Sequence, residues 1–282
     1  GLGLVELSPA GTTLRVAEPA ITALSSSKDK LWFGTANKGL FSFDGSASKT
    51  EVTPENLRSG MIRRIVESPD GTFWIAGEHG VFGVRDGTSE RIIDVEDVRD
   101  IFVNDGQIWA ATTTRGLQHA RHDDRFGWLV STIGFEQGLP SEKAFSILPL
   151  EDGILIATNR GVVTYRPGTI PPKIIATRVL SQRVHDLAEL REGIDLEYPQ
   201  NSLLVEVAGQ SSRTFPEEFK YAFQLKKADG ELIDGRISTD PQYAPADLKP
   251  GNYTIEAQAF DRALLPSEPL LINFAVAKAP FP

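Results

Sequence analysis

Short apolar runs, alternating with polar residues or unbroken, follow one another along the first part of the chain, and glycine or Asp-Gly ends each of them. The segment "LWFGTANKGLFSFDG" at 31–45 is rewritten as "FWIAGEHGVFGVRDG" at 73–87, "IWAATTTRGLQHARHD" at 108–123 and "ILIATNRGVVTYRPG" at 154–168. Each copy places a large apolar residue (Trp32, Trp74, Trp109, Leu155) six or seven residues before a glycine (Gly39, Gly80, Gly116, Gly161) that opens another run. The anchors recur 42, 35 and 46 residues apart, a period that marks a supersecondary repeat. Runs this short, rich in Ile, Val, Phe, Trp and Thr, are strands, because helical repeats would need longer unbroken patterns.

Each unit then reads as a meander. "IRRIVES" is a first strand, "FWIAG" a second, "VFGVRDG" a third, and a variable run such as "ERIIDV" or "WLVSTI" a fourth. Four-stranded sheets stacked radially bury one face against the next and leave only short edges, which is the β-propeller. The anchor tryptophans would fill the space between neighbouring blades. "YRPGTIPPK" at 165–173 closes this part, since adjacent prolines continue neither a strand ladder nor a helix. Beyond it no anchor repeat occurs. Runs such as "KIIATRVL", "SLLVEVAGQ", "FKYAFQLKKADGE", "NYTIEAQAFD" and "LLINFAVA" predict an immunoglobulin- or fibronectin-like sandwich. The expected fold is therefore all-β: a partial or small propeller over 1–168, a sandwich over 169–276, and a tail over 277–282.

The chain opens with "GLGLVELSPAGTTLRV", in which Gly3-Leu4 stands where Gly39-Leu40 stands, so it aligns with the second half of a blade. Two arrangements satisfy this: a four-bladed ring sealed by its first strands, or an arc of a larger ring, which the reading favours. An arc would expose apolar residues near Leu4, Val5 and Leu7.

The unit "SPDGTFWIAGEHGVFGV" resembles the two-component-regulator propeller repeat, with its D-G-x-L-W-I-G-T segment, turn and G-L. "GFEQGLPSEKAFSILPLEDGILIATNRGVVTYRPG" at 134–168 resembles the longer form of that repeat, with Leu155 in place of Trp. Residues 174–276 are similar to the three-Tyr domain that closes the sensor region of many bacterial two-component regulators. The matching residues are Tyr221 in "YAFQL", Tyr243 in "QYAPADLKPGNY" and Tyr253, with Phe223 at the second ring position. The tyrosines read as packing and corner residues. What the resemblance implies is the periplasmic portion of an inner-membrane receptor whose membrane helix and output module follow "AKAPFP". It also implies a small extracellular ligand, such as a glycan fragment, and a sandwich that relays its signal through dimer contacts.

Composition adds exclusions. A net charge of −9, without a basic run, speaks against nucleic acid and against an anionic membrane surface. No window of 18 apolar residues occurs, and the absence of cysteine is compatible with an oxidising compartment. No phosphate loop, H-E-x-x-H or G-x-S-x-G motif is present, and no cofactor is called for. His119 and His122, three apart in a strand, fall on opposite faces and read poorly as metal ligands. "DVEDVRD" at 94–100 lacks the glycine and terminal Glu of a calcium loop.

The turns between second and third strands are the better candidate, since in a propeller they emerge on one face. They carry Asn37, Lys38, Glu78, His79, Arg115, Asn159 and Arg160, whose three strong cations suit a carboxylate- or sulfate-bearing ligand. The alternative is ordinary turn chemistry. For function, the expectation is an extracytoplasmic sensing and relay region rather than an enzyme. A propeller enzyme, for which His79 with Glu78 is the nearest acid–base pair, and an interaction scaffold stand as alternatives.

Overall fold

The structure is a computed structural model and describes residues 3–18, 20–27, 30–57, 60–186 and 188–280. Gly1 and Leu2 of the opening segment and the last two residues of the tail lie outside the described residues. The protein is all-β, built from several small antiparallel sheets. It divides into two units, one of residues 1–123 and 127–166, the other of 124–126 and 167–282.

The first unit opens with a hairpin of β1 (Leu4–Ser8) and β2 (Gly11–Val16). Three four-stranded meanders follow: β3 (Ile21–Ser27) to β6 (Ser48–Val52) through β4 (Lys30–Thr35) and β5 (Leu40–Phe43); β7 (Ile62–Glu67) to β10 (Thr88–Ile93) through β8 (Phe73–Gly77) and β9 (Gly80–Arg85); β11 (Val98–Asn104) to β14 (Gly127–Ile133) through β12 (Gln107–Thr112) and β13 (Leu117–Asp123). A last sheet has three strands, β15 (Ala144–Leu150), β16 (Gly153–Thr158) and β17 (Gly161–Tyr165). Consecutive sheets pack through their first strands, β3 on β7, β7 on β11 and β11 on β15.

Period-two alternation explains the stacking, because each second strand sends its residues to two different cores. In β8, Phe73 and Ile75 join a core with Leu40, Val52 and Trp32 of the preceding sheet. Trp74 and Ala76, on the opposite face, join Ile101, Ile108 and Ala110 of the next. In β12, Ile108 and Ala110 face backward while Trp109 and Ala111 face forward to Ile147, Ile156 and Tyr165. The anchor tryptophans sit in these seams: Trp32 on Phe73 at 3.9 Å between ring centroids, Trp74 against Trp128 at 5.4 Å, and Trp109 beside Tyr165 at 5.9 Å.

Opposite two of the anchor tryptophans the third strand carries a residue that lets the ring lie down. Gly83 faces Trp74, and a Cβ there would come within 3.0 Å of the indole. His119 faces Trp109 and stacks on it at 3.8 Å and 6°. His119 is 1% exposed; its Nε2 meets Gln107 Oε1 at 2.9 Å, and its Nδ1 has no partner among the described residues. His122 lies on the other face against Trp128, so the two histidines do not meet. Among the described residues no group of His, Cys, Asp and Glu could hold a metal ion.

In the three four-stranded meanders the glycine at the start of the third strand is fixed by its neighbours. At Gly39, Gly80 and Gly116 φ is +89°, +132° and +68°. A Cβ at these positions would fall 2.1, 2.2 and 2.6 Å from the carbonyl oxygens of Val52, Ile93 and Ile133 on the fourth strands. Gly3 faces the Val16 carbonyl in the same way, at 1.9 Å. The hairpin β1–β2 thus repeats the third-to-fourth strand corner.

The second unit has two sheets around one core. One holds β18 (Lys173–Leu180), β19 (Val184–His185), β21 (Leu204–Gln210) and β24 (Gln242–Tyr243). The other holds β20 (Ile194–Leu196), β22 (Lys220–Lys227), β23 (Leu232–Ser238), β25 (Gly251–Phe260) and β26 (Leu270–Val276), with β20 parallel to β26. Val179, Val205 and Val207 of the first pack with Phe223, Leu225, Ile255, Ile272 and Phe274 of the second. All three tyrosines are buried, and each hydroxyl has a partner. Tyr221 accepts from the Gly209 amide at 3.1 Å, Tyr243 donates to Asp234 Oδ2 at 2.8 Å, and Tyr253 donates to the Lys249 carbonyl at 2.8 Å. Phe223 stacks on Tyr243 at 5.1 Å. Burial, then the neighbouring Asp234, pushes the Tyr243 phenol well above its usual range.

Two outcomes follow. Gly80→Ala meets both the left-handed backbone and the Ile93 carbonyl, and should lose about 2–4 kcal/mol in chemical denaturation; a loss under about 1 kcal/mol would mean that the corner relaxes freely. The His119 imidazole, held down to about 3 first by burial and then by the charge of Arg121, stays neutral in the fold. Below about pH 6.5 the unfolded chain takes a proton that the folded chain refuses, so stability is full above that pH and falls below it. Between about pH 6.5 and 5, above the carboxylate range, the slope from this group should approach about 1.4 kcal/mol per pH unit and be absent in His119→Phe.

Candidate functional site

The second-to-third strand turns and the connections that enter each following sheet lie at one end of the sheets, since the end of each second strand pairs with the start of its first. Three turns share one closure. The hydroxyls of Thr35, Thr112 and Thr158 donate to the carbonyls of Gly39, Gly116 and Gly161 at 3.0, 3.0 and 2.8 Å. The same oxygens accept from the amides of Lys38, Arg115 and Arg160 at 2.9, 2.9 and 3.1 Å. A T-x-x-[KR]-G or T-x-[KR]-G turn therefore holds its backbone with one threonine and leaves the cation outside. The second meander has Gly77 in the threonine's place and the shorter turn Glu78–His79.

Asn37, Lys38, Glu78, His79, Arg115, Asn159 and Arg160 are all exposed at this end. Each has its own surroundings. Lys38 Nζ pairs with Glu18 Oε2 at 2.7 Å, and this bond holds the Glu18 carboxyl below its usual range. Arg160 donates to the Pro140 carbonyl at 3.4 Å, and Glu78 lies over Gly60, where a Cβ would fall 2.2 Å from Glu78 Oε2. The seven residues share an end of the unit; no hydrogen bond among the described residues joins one turn's side chain to another's.

A tighter cluster lies in the first strands. Each carries a one-residue bulge at the same level, Thr22, Arg63, Arg99 and Phe145. A bulge re-aims its side chain, and here two arginines are turned onto one carboxylate. Arg63 Nη2 lies 2.6 Å from Asp97 Oδ1, while Arg99 Nη2 and Nε lie 2.8 and 3.1 Å from Asp97 Oδ2. The Thr113 hydroxyl donates to the same oxygen. Asp97 holds φ +56°, a left-handed conformation, and its amide donates to the Glu78 carbonyl at 2.8 Å. Burial alone would push the Asp97 carboxyl up, but the Thr113 and Arg99 hydrogen bonds and the charges of Arg63 and Arg99 hold it below its usual range. Arg63 Nε is buried and has no partner among the described residues.

One residue deeper, Asp100 ties three sheets together. It lies 3.4 Å from Arg64 Nε on β7 and accepts from the Ser146 hydroxyl and the Ile147 amide on β15 at 2.9 and 3.0 Å. The Thr22 hydroxyl continues this seam by donating to the Ile62 carbonyl at 2.5 Å.

Sequence reasoning weighed "DVEDVRD" at 94–100, which holds Asp97 and Arg99, only as a calcium loop and passed over Arg63 and Thr113, although a signal was there: "IRRI" and "VRDI" set charges inside first strands that are otherwise apolar. A separate groove of 450 Å³ is lined by Trp32, Lys49, Glu51, Phe73, Arg85 and Asp86, where two charges of each sign set no preference for a ligand's charge.

No family model and no curated protein sequence matches the chain. Among solved structures it is similar to one described as the extracellular domain of a hybrid two component system from B. thetaiotaomicron, with 17% identity, a TM-score of 0.50, and coverage of 96% of this chain and 41% of that one. A second such extracellular domain from the same organism is 14% identical with a TM-score of 0.40, over 92% of this chain and 44% of that one. At these identities the first likeness speaks to the fold alone. The chain spans less than half the length of either. Among the described residues no helix is long and apolar enough to cross a membrane.

The Asp97 cluster is testable by itself. Asp97→Ala leaves two guanidiniums facing each other and should lose about 1–3 kcal/mol, with Asp97→Asn, which tolerates the left-handed backbone, intermediate. Because this carboxyl is held low, its contribution is present above about pH 4 and fades as the pH falls through its lower folded value. Equal stability of wild type and Asp97→Ala at pH 7 would show that the arginines are fully solvated.

Proposed function

We propose that this chain is the extracytoplasmic sensing and relay region of a membrane-bound bacterial two-component sensor. In this reading the stacked sheets are blades of a β-propeller and the second unit is a three-Tyr, immunoglobulin-like sandwich on the periplasmic side of an inner membrane. The carrying observation is the repeated corner: three sheets close the same turn with a threonine and leave Lys38, Arg115 and Arg160 exposed at one end. A scaffold that repeats its turn chemistry and varies its tips suits recognition, because binding residues sit on loops that a rigid frame positions.

The ligand is a small anionic molecule of the extracellular space, such as an acidic glycan fragment, read by exposed guanidiniums. Arg115 and Arg160 are its principal contacts, since Lys38 is engaged by Glu18. The Asp97 cluster fixes the first strands behind the turns rather than touching the ligand. Self-association of the second unit would carry the signal toward a kinase or other output module. An enzymatic reading would need His79 and Glu78 as base and acid, and Glu78 is turned toward Gly60.

Arg115→Ala combined with Arg160→Ala changes only exposed side chains, so stability should move by less than about 0.5 kcal/mol. Affinity for a uronic-acid oligosaccharide, measured by calorimetry, should fall at least about tenfold, as two partly solvated charge-assisted contacts are lost. Unchanged affinity in the double variant would remove this end of the sheets as the site.

A further inference from the structure

The second unit holds a serine, a histidine and a glutamate in one hydrogen-bonded row. The Ser181 hydroxyl lies 2.8 Å from His185 Nε2, and His185 Nδ1 lies 3.2 Å from Glu189 Oε2. All three come from nine consecutive residues. β18 and β19 pair Val179 with His185 and Leu180 with Val184, so 181–183 is the three-residue tip of a hairpin. The Ser181 amide closes that tip by donating to the Arg183 carbonyl at 2.9 Å. A single 3-10 turn, Glu189–Arg191, follows and is anchored by Leu190 in the core of the unit.

The carboxylate is fixed first. Arg183 grips Glu189 with Nη1 on Oε1 at 3.0 Å and Nη2 on Oε2 at 2.7 Å, and the Asp186 amide donates to Oε1 at 3.2 Å. The Arg183 bond, then those of Asp186 and His185, hold the Glu189 carboxyl down to about 2. An ionised carboxylate can only accept, so it takes the proton-bearing Nδ1 of a neutral imidazole and leaves the Nε2 lone pair facing Ser181. The His185 side chain is 2% exposed, whereas Ser181 is partly open to solvent. A hydroxyl within reach of a base that a third group orients is the geometry that activates a serine. Holding Arg183 needs only Glu189, which already gives it two bonds.

We propose that Ser181 is an acyl-accepting nucleophile, with His185 as its base and Glu189 as the group that positions that base. The substrate class is a small activated ester, such as an aryl ester. The Ser181 amide is engaged by the Arg183 carbonyl and cannot steady a developing oxyanion, so the leaving group must carry charge easily. In the step, the bond from Ser181 Oγ to the acyl carbon forms and the ester C–O bond breaks. The hydroxyl proton passes through His185 Nε2 to the departing oxygen. Water then attacks the acyl-serine by the reverse path, which releases the carboxylic acid and restores the hydroxyl.

The test is labelling of residues 1–282 with a fluorophosphonate, which phosphonylates activated serines with loss of fluoride, and location of the label by peptide mass spectrometry. Ser181 should react at least about a hundredfold faster than the exposed Ser212. Ser181→Ala should keep its melting temperature and release 4-nitrophenolate from 4-nitrophenyl acetate at least about tenfold more slowly. His185→Gln should slow the labelling of Ser181 at least about a hundredfold. Where His185→Gln lowers the melting temperature, Glu189→Gln decides in its place: labelling at least about tenfold slower supports the proposal, and an unchanged rate overturns it. No preference for Ser181 over Ser212 in the wild type, or equal labelling in a fully folded His185→Gln, overturns it as well.

Discussion

None of the sheets in the first unit can bury its residues alone. Each second strand is apolar on both faces, so Phe73 and Ile75 need the preceding sheet as much as Trp74 and Ala76 need the next. Burying an aromatic or aliphatic side chain of this kind is worth about 1.5–3 kcal/mol relative to leaving it exposed, which no single four-stranded meander could recover. The stack thus buries what no single sheet buries alone, and the turns at its end are placed by packing far from them.

The polar seam along the first strands depends on that packing. Asp97 and Asp100 meet Arg63, Arg64 and Ser146 only because β7, β11 and β15 lie side by side. With the hydrophobic faces aligned, a bulge at one level in each strand turns Arg63 and Arg99 toward a shared carboxylate. Partly buried charges of this sort contribute little net stability, but mispaired they cost several kcal/mol, so they penalise a slipped stack. Register in the seam and register in the turns are the same constraint.

The second unit uses another solution. Its two sheets share one core, and the tyrosines hold its ends by bonding backbone or carboxylate partners while their rings pack inside. Buried phenols that keep a partner for each hydroxyl give size without leaving a polar orphan. These are packing roles, and the candidate recognition chemistry stays on the turns of the first unit.

Much of this was legible in the sequence. The alternating runs, the corner glycines and the proline-rich break between the two kinds of strand are local signals, set by backbone sterics and period-two burial, and they appear in "LWFGTANKGLFSFDG" and "YRPGTIPP" without any coordinates. The turn residues Lys38, Arg115 and Arg160 were legible for the same reason, because a turn tip is exposed by its own geometry. What the chain could not announce was pairing across distance. That Arg63 and Arg99 would share Asp97 and that His119 would lie flat on Trp109 both depend on which strand lies beside which. Periodicity assigns a residue to a face, but only tertiary packing decides what that face meets.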